Sequence, residues 1–293
     1  MAEIYHKWEP ITDLPDGYRQ MSDPSFDSAA QEWASALTRM NPGKLADFRE
    51  RTMREWAVET GKVERIYRLD DEITRRLVDH GLTSEELPVQ TDGLGPVDPA
   101  LVLENHRAIT VFMNEEIEMG RPLTNFAIKG MHSVFVENQD FAAGRSPTGE
   151  RIAIRLLKGT FKKWPNNPHT PEGLLHQYCP PEQVDIEMER LLAMHASHAS
   201  DSVPPDIEAA WLHHRFIQIH PFQDGNGRIA RALASMEYMK SGLLPPVVTD
   251  KGRDAYIDTL DKANRGELQP FVRYLSGLAV KTMRECIAFA ART

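Results

Sequence analysis

The sequence predicts an all-α fold, in which a mainly helical core carries one small β-hairpin and follows an N-terminal helical extension. Apolar residues recur mostly at helical steps along residues 44–81, and residues 205–220 are apolar on nearly every side, as is typical of a central helix. Residues 151–170 differ, because branched and aromatic residues are interrupted there by Gly159 and by a stretch with two prolines. That pattern predicts an extended hairpin.

The N-terminal extension is predicted to hold an arm and then helices. Residues 1–27 are rich in Pro, Asp and Tyr without a clear period, so we expect an extended arm lying on the body of the protein. Residues 28–40 have the pattern of a short helix. Within residues 44–81 we expect Gly61 to divide the helical run and Gly81 to end its last helix, since glycine is common at helix C-termini.

A loop is predicted at residues 87–99, which are rich in glycine and proline. We place the domain boundary in this loop, between an N-terminal region at 1–95 and a helical core at 96–293. Helical periodicity resumes after the loop. Prolines followed by an acidic first turn then mark the starts of two more helices, near residues 180 and 204.

Composition limits the classes of partner. The 293 residues are 41% apolar and carry 34 basic and 43 acidic side chains, a net charge of −9. An acidic chain is a poor general binder of nucleic acid or of anionic membranes. Two cysteines, Cys179 and Cys286, make no disulfide framework. Because the N-terminus lacks the apolar core of a signal peptide and no apolar run reaches about 18 residues, we expect a soluble cytoplasmic protein.

The stretch HPFQDGNGRIAR, at residues 220–231, combines features of an anion-binding site. Pro221 disfavours helical angles at His220, so the apolar helix should end there. Gly225, Asn226 and Gly227 form the first turn of another helix. Amides at a helix N-terminus lack internal partners and the helix dipole favours negative charge, while glycines let a phosphate approach the backbone.

Charged residues in the same stretch predict a reaction at that anion. Arg228 and Arg231 share roughly one helix face and could clamp two phosphates. Asp224 could hold Mg²⁺ beside the phosphates, and His220 could take a proton from a hydroxyl. Each feature alone has an ordinary structural explanation: a turn residue, a turn, or salt-bridged arginines. Together they predict nucleotidyl or phosphoryl transfer to an alcohol.

This stretch resembles the signature of the Fic (filamentation induced by cAMP) family, His-Pro-Phe-x-Asp/Glu-Gly-Asn-Gly-Arg-x-x-Arg, at every defined position. The resemblance extends over roughly residues 120–280, with the domain at about 123–278. It implies a protein adenylyltransferase, a nucleotidyltransferase that moves AMP from Mg-ATP to a Ser, Thr or Tyr hydroxyl of a target protein.

The resemblance also implies roles for the residues. His220 would be the general base and Asp224 the Mg²⁺ ligand. The backbone of residues 225–227 and Arg228 would hold the phosphates, and Arg231 would bind the γ-phosphate. Family members that transfer a terminal phosphate have Lys where this chain has Gly227, which favours AMP transfer here.

Two other segments are similar to parts of the family. Gly159, Thr160, Phe161 and Lys162 lie where the family has a flap that binds the target backbone as an added strand; a purely structural hairpin is the alternative. Asn264 lies in a segment similar to the family's Ala-Asn-x-Gly, which implies a place beside the adenine. Alternatively, Asn264 is only part of a helix C-terminal stop.

Many family members carry an inhibitory helix with the motif Ser/Thr-x-x-x-Glu-Gly/Asn, whose glutamate pairs with the last arginine of the signature. Thr60 and Glu64 fit this motif, although Arg65 stands where Gly or Asn is expected. A carboxylate on Arg231 would compete with the γ-phosphate of ATP. We therefore expect Glu64 to be a brake. The alternative is an ordinary surface glutamate.

A second segment matches the inhibitory motif in full, with Ser133, Glu137 and Asn138. Its surroundings, however, resemble the first helix of the family's core. The stretch around Glu64 instead resembles members that carry the inhibitory helix ahead of the core, so we prefer Glu64.

Other functions remain open from the sequence. The same site could remove AMP from a modified protein, or could bind nucleotide for regulation without chemistry. A metal hydrolase would have to use the histidines His195, His198, His213, His214 and His220. We expect His195 and His198 to be exposed residues at a helix end. Expected partners are an unidentified target protein, the chain itself and, by family habit, a second copy in a homodimer, with no nucleic acid and no membrane.

Overall fold

The computed structural model describes residues 4–81, 90–91, 96–97, 99–145, 150–170 and 172–291. Its fold is mainly helical with short strands, as predicted. Most of the predicted loop at 87–99, and with it the domain boundary, lies outside the described residues. The division into two domains therefore stays a prediction.

Helices make up most of the described chain. They are α1 Pro24–Leu37, α2 Pro42–Val63, α3 Asp71–His80, α4 Pro99–Glu118, α5 Asn125–Phe135, α6 Val184–Ser200, α7 Pro205–Ile219, α8 Asn226–Lys240, α9 Arg253–Asn264 and α10 Gln269–Ala290. Short 3₁₀ turns occur at Tyr18–Met21, Pro181–Gln183 and Asp250–Gly252. In the part of the chain described, no helix is both long and apolar enough to cross a membrane.

Short strands form three two-stranded sheets in the described part of the chain. The strands are β1 Ile4–His6, β2 Gln90–Thr91, β3 Pro96–Val97, β4 Phe141–Arg145, β5 Arg151–Arg155 and β6 Leu175–His176. Strand β1 of the N-terminal arm pairs in parallel with β6, while β2–β3 and β4–β5 are antiparallel. The arm is therefore hydrogen-bonded to the body, as expected of residues 1–27.

Helix α7 lies at the centre of the core, as its sequence predicts. Trp211, Leu212 and Phe216 are fully buried, and α7 packs against α6, α8 and α10. One hydrophobic cluster contains these residues together with Trp33 of α1 and Trp56 of α2. The N-terminal helices thus share a core with the helices of the second half. Cys179 and Cys286 are both buried and free.

Helix boundaries in the N-terminal region differ from two of our predictions. Helix α1 begins at Pro24, before residue 28, because the Asp23 side chain accepts a hydrogen bond from the Ser25 N–H and caps the helix. Helix α2 continues through Gly61, which we had expected to divide it. A Cβ atom at Gly61 would come within 2.3 Å of the Tyr67 hydroxyl oxygen. Gly61 is needed for this close packing and does not stop the helix.

The actual end of α2 is a Schellman turn. The Ile66 N–H donates to the Gly61 carbonyl (3.1 Å) and the Arg65 N–H donates to the Lys62 carbonyl (2.8 Å). Glu64 is the C-cap and Arg65 follows it in the left-handed conformation, with φ 57°. Glycine or asparagine is favoured at that position, which gives a physical reason for Gly or Asn after the glutamate in the inhibitory motif.

The hairpin lies earlier in the chain than predicted. Its strands are β4 and β5, paired from Phe141 with Arg155 to Arg145 with Arg151, so only the second strand falls within residues 151–170. Strand β4 has the sequence FAAGR, in which alanine and glycine give little strand propensity. The rest of the predicted hairpin, residues 156–170, is a loop apart from an isolated bridge of His169 with Leu175.

His195 and His198 are buried, so our expectation of exposed residues is wrong. They are 8% and 5% exposed, and both donate to the Glu208 carboxylate of α7, each through Nδ1 at 2.7 Å. The second ring nitrogen of His198 lies 2.6 Å from Asp13 of the arm. Carboxylates only accept, so both nitrogens of His198 donate and its ring is an imidazolium.

Replacing Arg65 by glycine should stabilise the protein. A non-glycine residue in the left-handed region costs about 1 kcal/mol, so we expect Arg65→Gly to raise the free energy of unfolding by about 1 kcal/mol and Tm by about 2 °C. Arg65→Ala is the matched control, because it removes the same charge and keeps a Cβ atom. Equal unfolding curves for the two variants in urea would contradict this account.

The His195–His198–Glu208 cluster should make stability depend on pH. Burial alone would lower the pKa of His198, but Glu208 and Asp13 outweigh burial and raise it. The contribution of His198 to the free energy of unfolding is therefore fully present below pH 6.5, and it is lost as pH rises through the raised pKa. Burial alone would raise the pKa of Glu208, but the two histidines lower it, so its contribution is present above pH 4.5 and lost as pH falls through the lowered pKa.

Between pH 6 and 8.5 we therefore expect the unfolding free energy to fall, by about 1 kcal/mol after allowing for the exposure of Asp13. Urea titrations at several pH values measure this change. His198→Gln should make the free energy of unfolding less dependent on pH in this range. His80→Gln, the same substitution at an exposed position, should leave the pH dependence unchanged. An unchanged slope in His198→Gln would refute the assignment.

Candidate active site

His220 ends the central helix in a strained conformation that holds its side chain outside regular packing. Its φ and ψ are 52° and 58°, and its N–H donates to the Phe216 carbonyl at 2.9 Å. Pro221 excludes the helical alternative, as the sequence predicts. The ring Nδ1 lies 3.2 Å from the Ile217 carbonyl. Because a carbonyl only accepts, Nδ1 carries the proton and Nε2 carries the lone pair.

The surroundings of His220 keep the imidazole neutral. Burial lowers its pKa well below the usual value, and the positive charge of Lys162 lowers it further. The ring stacks on that of Tyr178, with centroids 3.8 Å apart and planes within 6°. The residue is still partly exposed. A neutral, partly exposed imidazole with a free lone pair has the form that a general base requires.

Asn226 braces the turn that follows His220. Its Oδ1 accepts from the Phe222 N–H (2.9 Å) and its Nδ2 donates to the Phe222 carbonyl (2.7 Å). Asn166 donates to the same carbonyl at 2.7 Å. Because both polar atoms of this buried side chain are hydrogen-bonded within the turn, Asn226 can contact a ligand only through its backbone.

The N-terminus of α8 has no side-chain cap, as an anion site requires. The N-cap residue of this helix is Gly225, in the left-handed region with φ 81°. A Cβ atom at Gly227 would come within 2.2 Å of Oε1 of Glu64 and 3.1 Å of Nη1 of Arg231. The Glu64 carboxylate thus lies against the first turn of α8, where backbone amides and the helix dipole favour an anion.

Arg231 binds the end of helix α2. Its Nη1 is 2.8 Å from the Glu64 carboxylate, its Nε donates to Thr60 Oγ1 at 2.7 Å, and its Nη2 donates to the Thr60 carbonyl at 3.1 Å. Arg231 is only 4% exposed. Burial alone would lower its pKa, but the Glu64 charge outweighs burial and raises it. The structure therefore brings the predicted residues Thr60, Glu64 and Arg231 together.

Glu137, the other glutamate of the inhibitory motif, lies elsewhere. It is exposed beyond the end of α5, and its carbonyl accepts from the Lys158 ammonium. Among the described residues, the ion pair of Arg231 is with Glu64.

Arg228 points away from Arg231. Its guanidinium is buried, with Nη1 donating to the Phe135 carbonyl (3.2 Å) and Nη2 donating to Gln139 Oε1 (2.8 Å). The amide of Gln139 in turn donates to Asp224. Arg228 and Arg231 therefore do not form a joint clamp in this structure. A phosphate contact for Arg228 stays a prediction.

Asp224 is placed to contribute one oxygen to a cation. Its Oδ1 accepts from the Gly225 N–H at 2.7 Å, and its side chain is 39% exposed. Among the described residues, no group of three or more His, Cys, Asp or Glu side chains could hold a metal. A single carboxylate beside phosphates fits Mg²⁺, which keeps waters and takes substrate oxygens as ligands. The same finding gives the metal-hydrolase alternative no ligand cluster.

Of the four residues predicted to form a docking flap, three face the domain. Gly159 packs on α5, where a Cβ atom would come within 2.3 Å of Ser133 Oγ. Phe161 and Lys162 are buried, and the Lys162 N–H donates to the Pro221 carbonyl at 2.7 Å. Thr160 is exposed. The segment is thus held against the turn after His220.

Asn264, the last residue of α9, is fixed by a buried histidine. Its Oδ1 accepts from Nε2 of His214 at 3.0 Å, and Arg215 donates to Nδ1 of His214 at 3.1 Å. A role beside adenine stays a prediction. The remaining histidine, His213, pairs with the Tyr256 hydroxyl at 2.8 Å.

His132 is a site residue that sequence reasoning missed. It stacks on Phe222 with centroids 3.9 Å apart, accepts from the Gly159 N–H at Nδ1 (2.9 Å), and donates from Nε2 to the Asp224 carbonyl (3.1 Å). Burial and the Arg228 charge lower its pKa to about 3. A neutral His132 thus joins the segment at Gly159 to the signature. No local signal in the sequence distinguishes it from other helix residues.

The signature lies in a part of the chain that matches a known protein family. Residues 122–237 match the Fic/DOC family. A protein adenylyltransferase Fic from Drosophila persimilis is 34% identical over 149 residues, which cover 51% of this chain and 23% of that protein. The chain thus spans about a quarter of the length of this relative.

Solved structures show the same fold over nearly the whole chain. A Fic domain containing signaling protein from Bacteroides thetaiotaomicron superimposes with a TM-score of 0.73 at 22% identity, covering 90% of this chain and 96% of that one. Fic-1 from C. elegans (residues 134–508) gives a TM-score of 0.65 at 22% identity, covering 92% and 72%. The signature at residues 220–231 lies within the matched region, so residues 122–237 are similar to a Fic/DOC domain, and the chain shares the fold of these solved structures.

Proposed function

We propose that the protein is an adenylyltransferase, which transfers AMP from ATP to a Ser, Thr or Tyr hydroxyl of a target protein. The observation that carries this proposal is the neutral His220 imidazole, with its Nε2 lone pair available, five residues before an uncapped helix N-terminus. The first supplies a base and the second a binding site for phosphate. The adenylyltransferase relatives support the same reaction, although the chain spans only part of their length.

In the proposed reaction, Nε2 of His220 takes the proton of the target hydroxyl as the oxygen attacks the α-phosphorus of ATP. The bond between the α-phosphorus and its bridging oxygen to the β-phosphate breaks, and pyrophosphate leaves. Amides at the start of α8 would stabilise the charge on the phosphates. Mg²⁺, held by Asp224 and the phosphates, would supply further charge neutralisation.

We propose that Glu64 is a brake on this reaction. Its carboxylate occupies the space above Gly227 and the Nη1 face of Arg231, where the γ-phosphate would bind. Two anions cannot share one guanidinium face in a buried site, so ATP in its productive position must displace Glu64. Thr60 binds the opposite side of the guanidinium and would hold α2 in place.

A target could bind along the β4–β5 hairpin and the exposed Thr160. A two-stranded sheet leaves backbone groups unpaired at its outer edges, and an extended target segment can pair with them as an added strand. The buried side chains of Phe161 and Lys162 would then fix the segment, and the target would contact its backbone. The target, self-modification and a homodimer belong to this proposal.

Removal of AMP is a second candidate, and the position of Glu64 favours it. A carboxylate beside the phosphate site could orient a water molecule toward the α-phosphorus of an AMP-modified hydroxyl. Incubation with a target that carries labelled AMP separates the two reactions, since label is lost in one and gained in the other.

Substitution of Glu64 should release the brake. We expect Glu64→Gly to raise incorporation of label from α-³²P-ATP and Mg²⁺, into itself or a target, by about tenfold or more, because 1.4 kcal/mol of lost competition corresponds to tenfold. The matched control is Glu137→Gly, which removes the rival glutamate and should change nothing. A rise in Glu137→Gly alone would reverse the assignment.

The position of the label tests the reaction itself. Label should pass from α-³²P-ATP and not from γ-³²P-ATP, and the other three α-labelled nucleoside triphosphates reveal base selectivity. Transfer from the γ position would show a kinase. No transfer from any nucleotide to the Glu64→Gly chain or to proteins of a cell extract would refute the adenylyltransferase.

Loss of the base should separate chemistry from binding. In the Glu64→Gly chain, we expect His220→Ala to reduce AMP transfer by about 10² to 10⁴, while the Kd for ATP stays within a few-fold. Titration with a fluorescent ATP analogue measures binding. Arg231→Ala is the contrasting variant, which should weaken ATP binding directly. Transfer that persists in His220→Ala would exclude His220 as the base.

A further inference from the structure

Four aromatic rings contact one another in succession from the N-terminal strand to His220. His6 of β1 stacks on His176 of β6, with centroids 4.6 Å apart, and His176 packs on Tyr178 at 4.7 Å. Tyr178 stacks on His220 at 3.8 Å, with the planes within 6°. This ring series, His6–His176–Tyr178–His220, connects a strand outside residues 122–237 to the proposed base.

The imidazole of His220 needs such a contact, because little else in the described structure fixes its plane. Its ring makes one hydrogen bond, from Nδ1 to the Ile217 carbonyl at 3.2 Å. That bond sets the tautomer. It leaves rotation about the Cβ–Cγ bond, for which a histidine has only a broad preference. A parallel ring at 3.8 Å restricts this rotation, since turning the imidazole would bring its edge into the face of Tyr178.

Tyr178 is itself held firmly. Its N–H donates to Asn167 Oδ1 at 2.9 Å, and the neighbouring Gln177 N–H donates to the His6 carbonyl at 2.9 Å. Burial and the Glu64 charge raise the pKa of its hydroxyl, which stays protonated at ordinary pH. Tyr178 therefore has no charge to offer the reaction and acts through its ring.

We propose that Tyr178 is a positioning residue: its ring fixes the imidazole plane of His220 so that Nε2 faces the substrate hydroxyl, and strand β1 supports that ring through His6 and His176. This assignment rests on the proposed function for what His220 does, but the contact itself does not. The N-terminal arm then forms the outer wall of the catalytic centre.

The kinetic test compares Tyr178→Leu with Tyr178→Phe in the Glu64→Gly chain. Leucine removes the stacking face and phenylalanine keeps it. We expect kcat for AMP transfer to fall about five- to tenfold in Tyr178→Leu with KM for ATP within about twofold, and phenylalanine to rescue most of the loss. Phe126→Leu, an equivalent change at an 88% exposed position, is the control. Equal kcat in the two Tyr178 variants would overturn the proposal.

A spectroscopic test needs no activity. The Hε1 proton of His220, assigned by its disappearance in His220→Gln, should be shifted by the ring current of Tyr178. That shift should persist in Tyr178→Phe and collapse in Tyr178→Leu. If no variant transfers AMP, the proposed function fails, and this measurement decides the positioning role alone: an unmoved resonance in Tyr178→Leu overturns it.

The role of the arm is tested by His6→Ala in the same background. We expect a loss of about twofold in kcat and a partial change of the His220 resonance, since His6 touches the ring series at its far end. His80→Ala, at an exposed position, is the matched control. If the His6→Ala variant equals its parent in both measurements, the N-terminal arm has no role in positioning His220.

Discussion

Arg231 carries a charge that is almost fully removed from water, and the position of helix α2 depends on how that charge is compensated. An unpaired buried guanidinium would cost several kcal/mol. Glu64 and Thr60 supply the acceptors, and both come from the last turn of α2. The helix is therefore tied to α8 by the same side chain that the family signature assigns to a phosphate. In our proposal, either α2 or a nucleotide satisfies Arg231, and the exchange between them controls activity.

Two non-glycine residues with left-handed backbone conformations lie at the helix ends that form this site. His220 ends α7 and Arg65 follows the end of α2, with φ 52° and 57°. Such positions cost about 1 to 2 kcal/mol each and persist where the surroundings enforce them. At His220 the enforcing element is Pro221 and a buried helix. At Arg65 it is the packing of Tyr67 on Gly61 just behind. In our proposal, the left-handed conformation of His220 directs the base toward substrate, whereas that of Arg65 shapes the turn that presents Glu64 to Arg231.

The sequence predicted the features that depend on neighbours in the chain. The C-cap of α7 at His220 and the N-cap of α8 at Gly225 follow from local proline and glycine effects. The predictions that failed depended on packing or pairing between segments, which the local sequence does not show. Gly61 was misread because its reason, Tyr67, is a packing contact, and β4 was missed because only pairing with β5 makes FAAGR a strand.

The same limit applies to the charged residues. The charge of His198 is compensated by Glu208, on the next helix, and by Asp13, which is remote in sequence. The proximity of Glu64 to Arg231 was expected only through family resemblance, since no spacing rule connects residues so far apart in the chain.

The two arginines of the signature are three residues apart on α8 but contact different helices. Positions three apart on a helix differ by about 60° around its axis, which is close enough to predict one face but wide enough to reach different neighbours. Arg228 turns to α5 and holds Gln139, which binds Asp224, whereas Arg231 turns to α2. Arg228 therefore supports the proposed Mg²⁺ ligand through the Gln139 amide and through its own guanidinium, 3.9 Å from the Asp224 carboxylate, whereas Arg231 is the arginine that Glu64 occupies. In our proposal, Arg228 keeps the same contacts whether or not nucleotide is bound, whereas Arg231 binds Glu64 in one state and the nucleotide in the other.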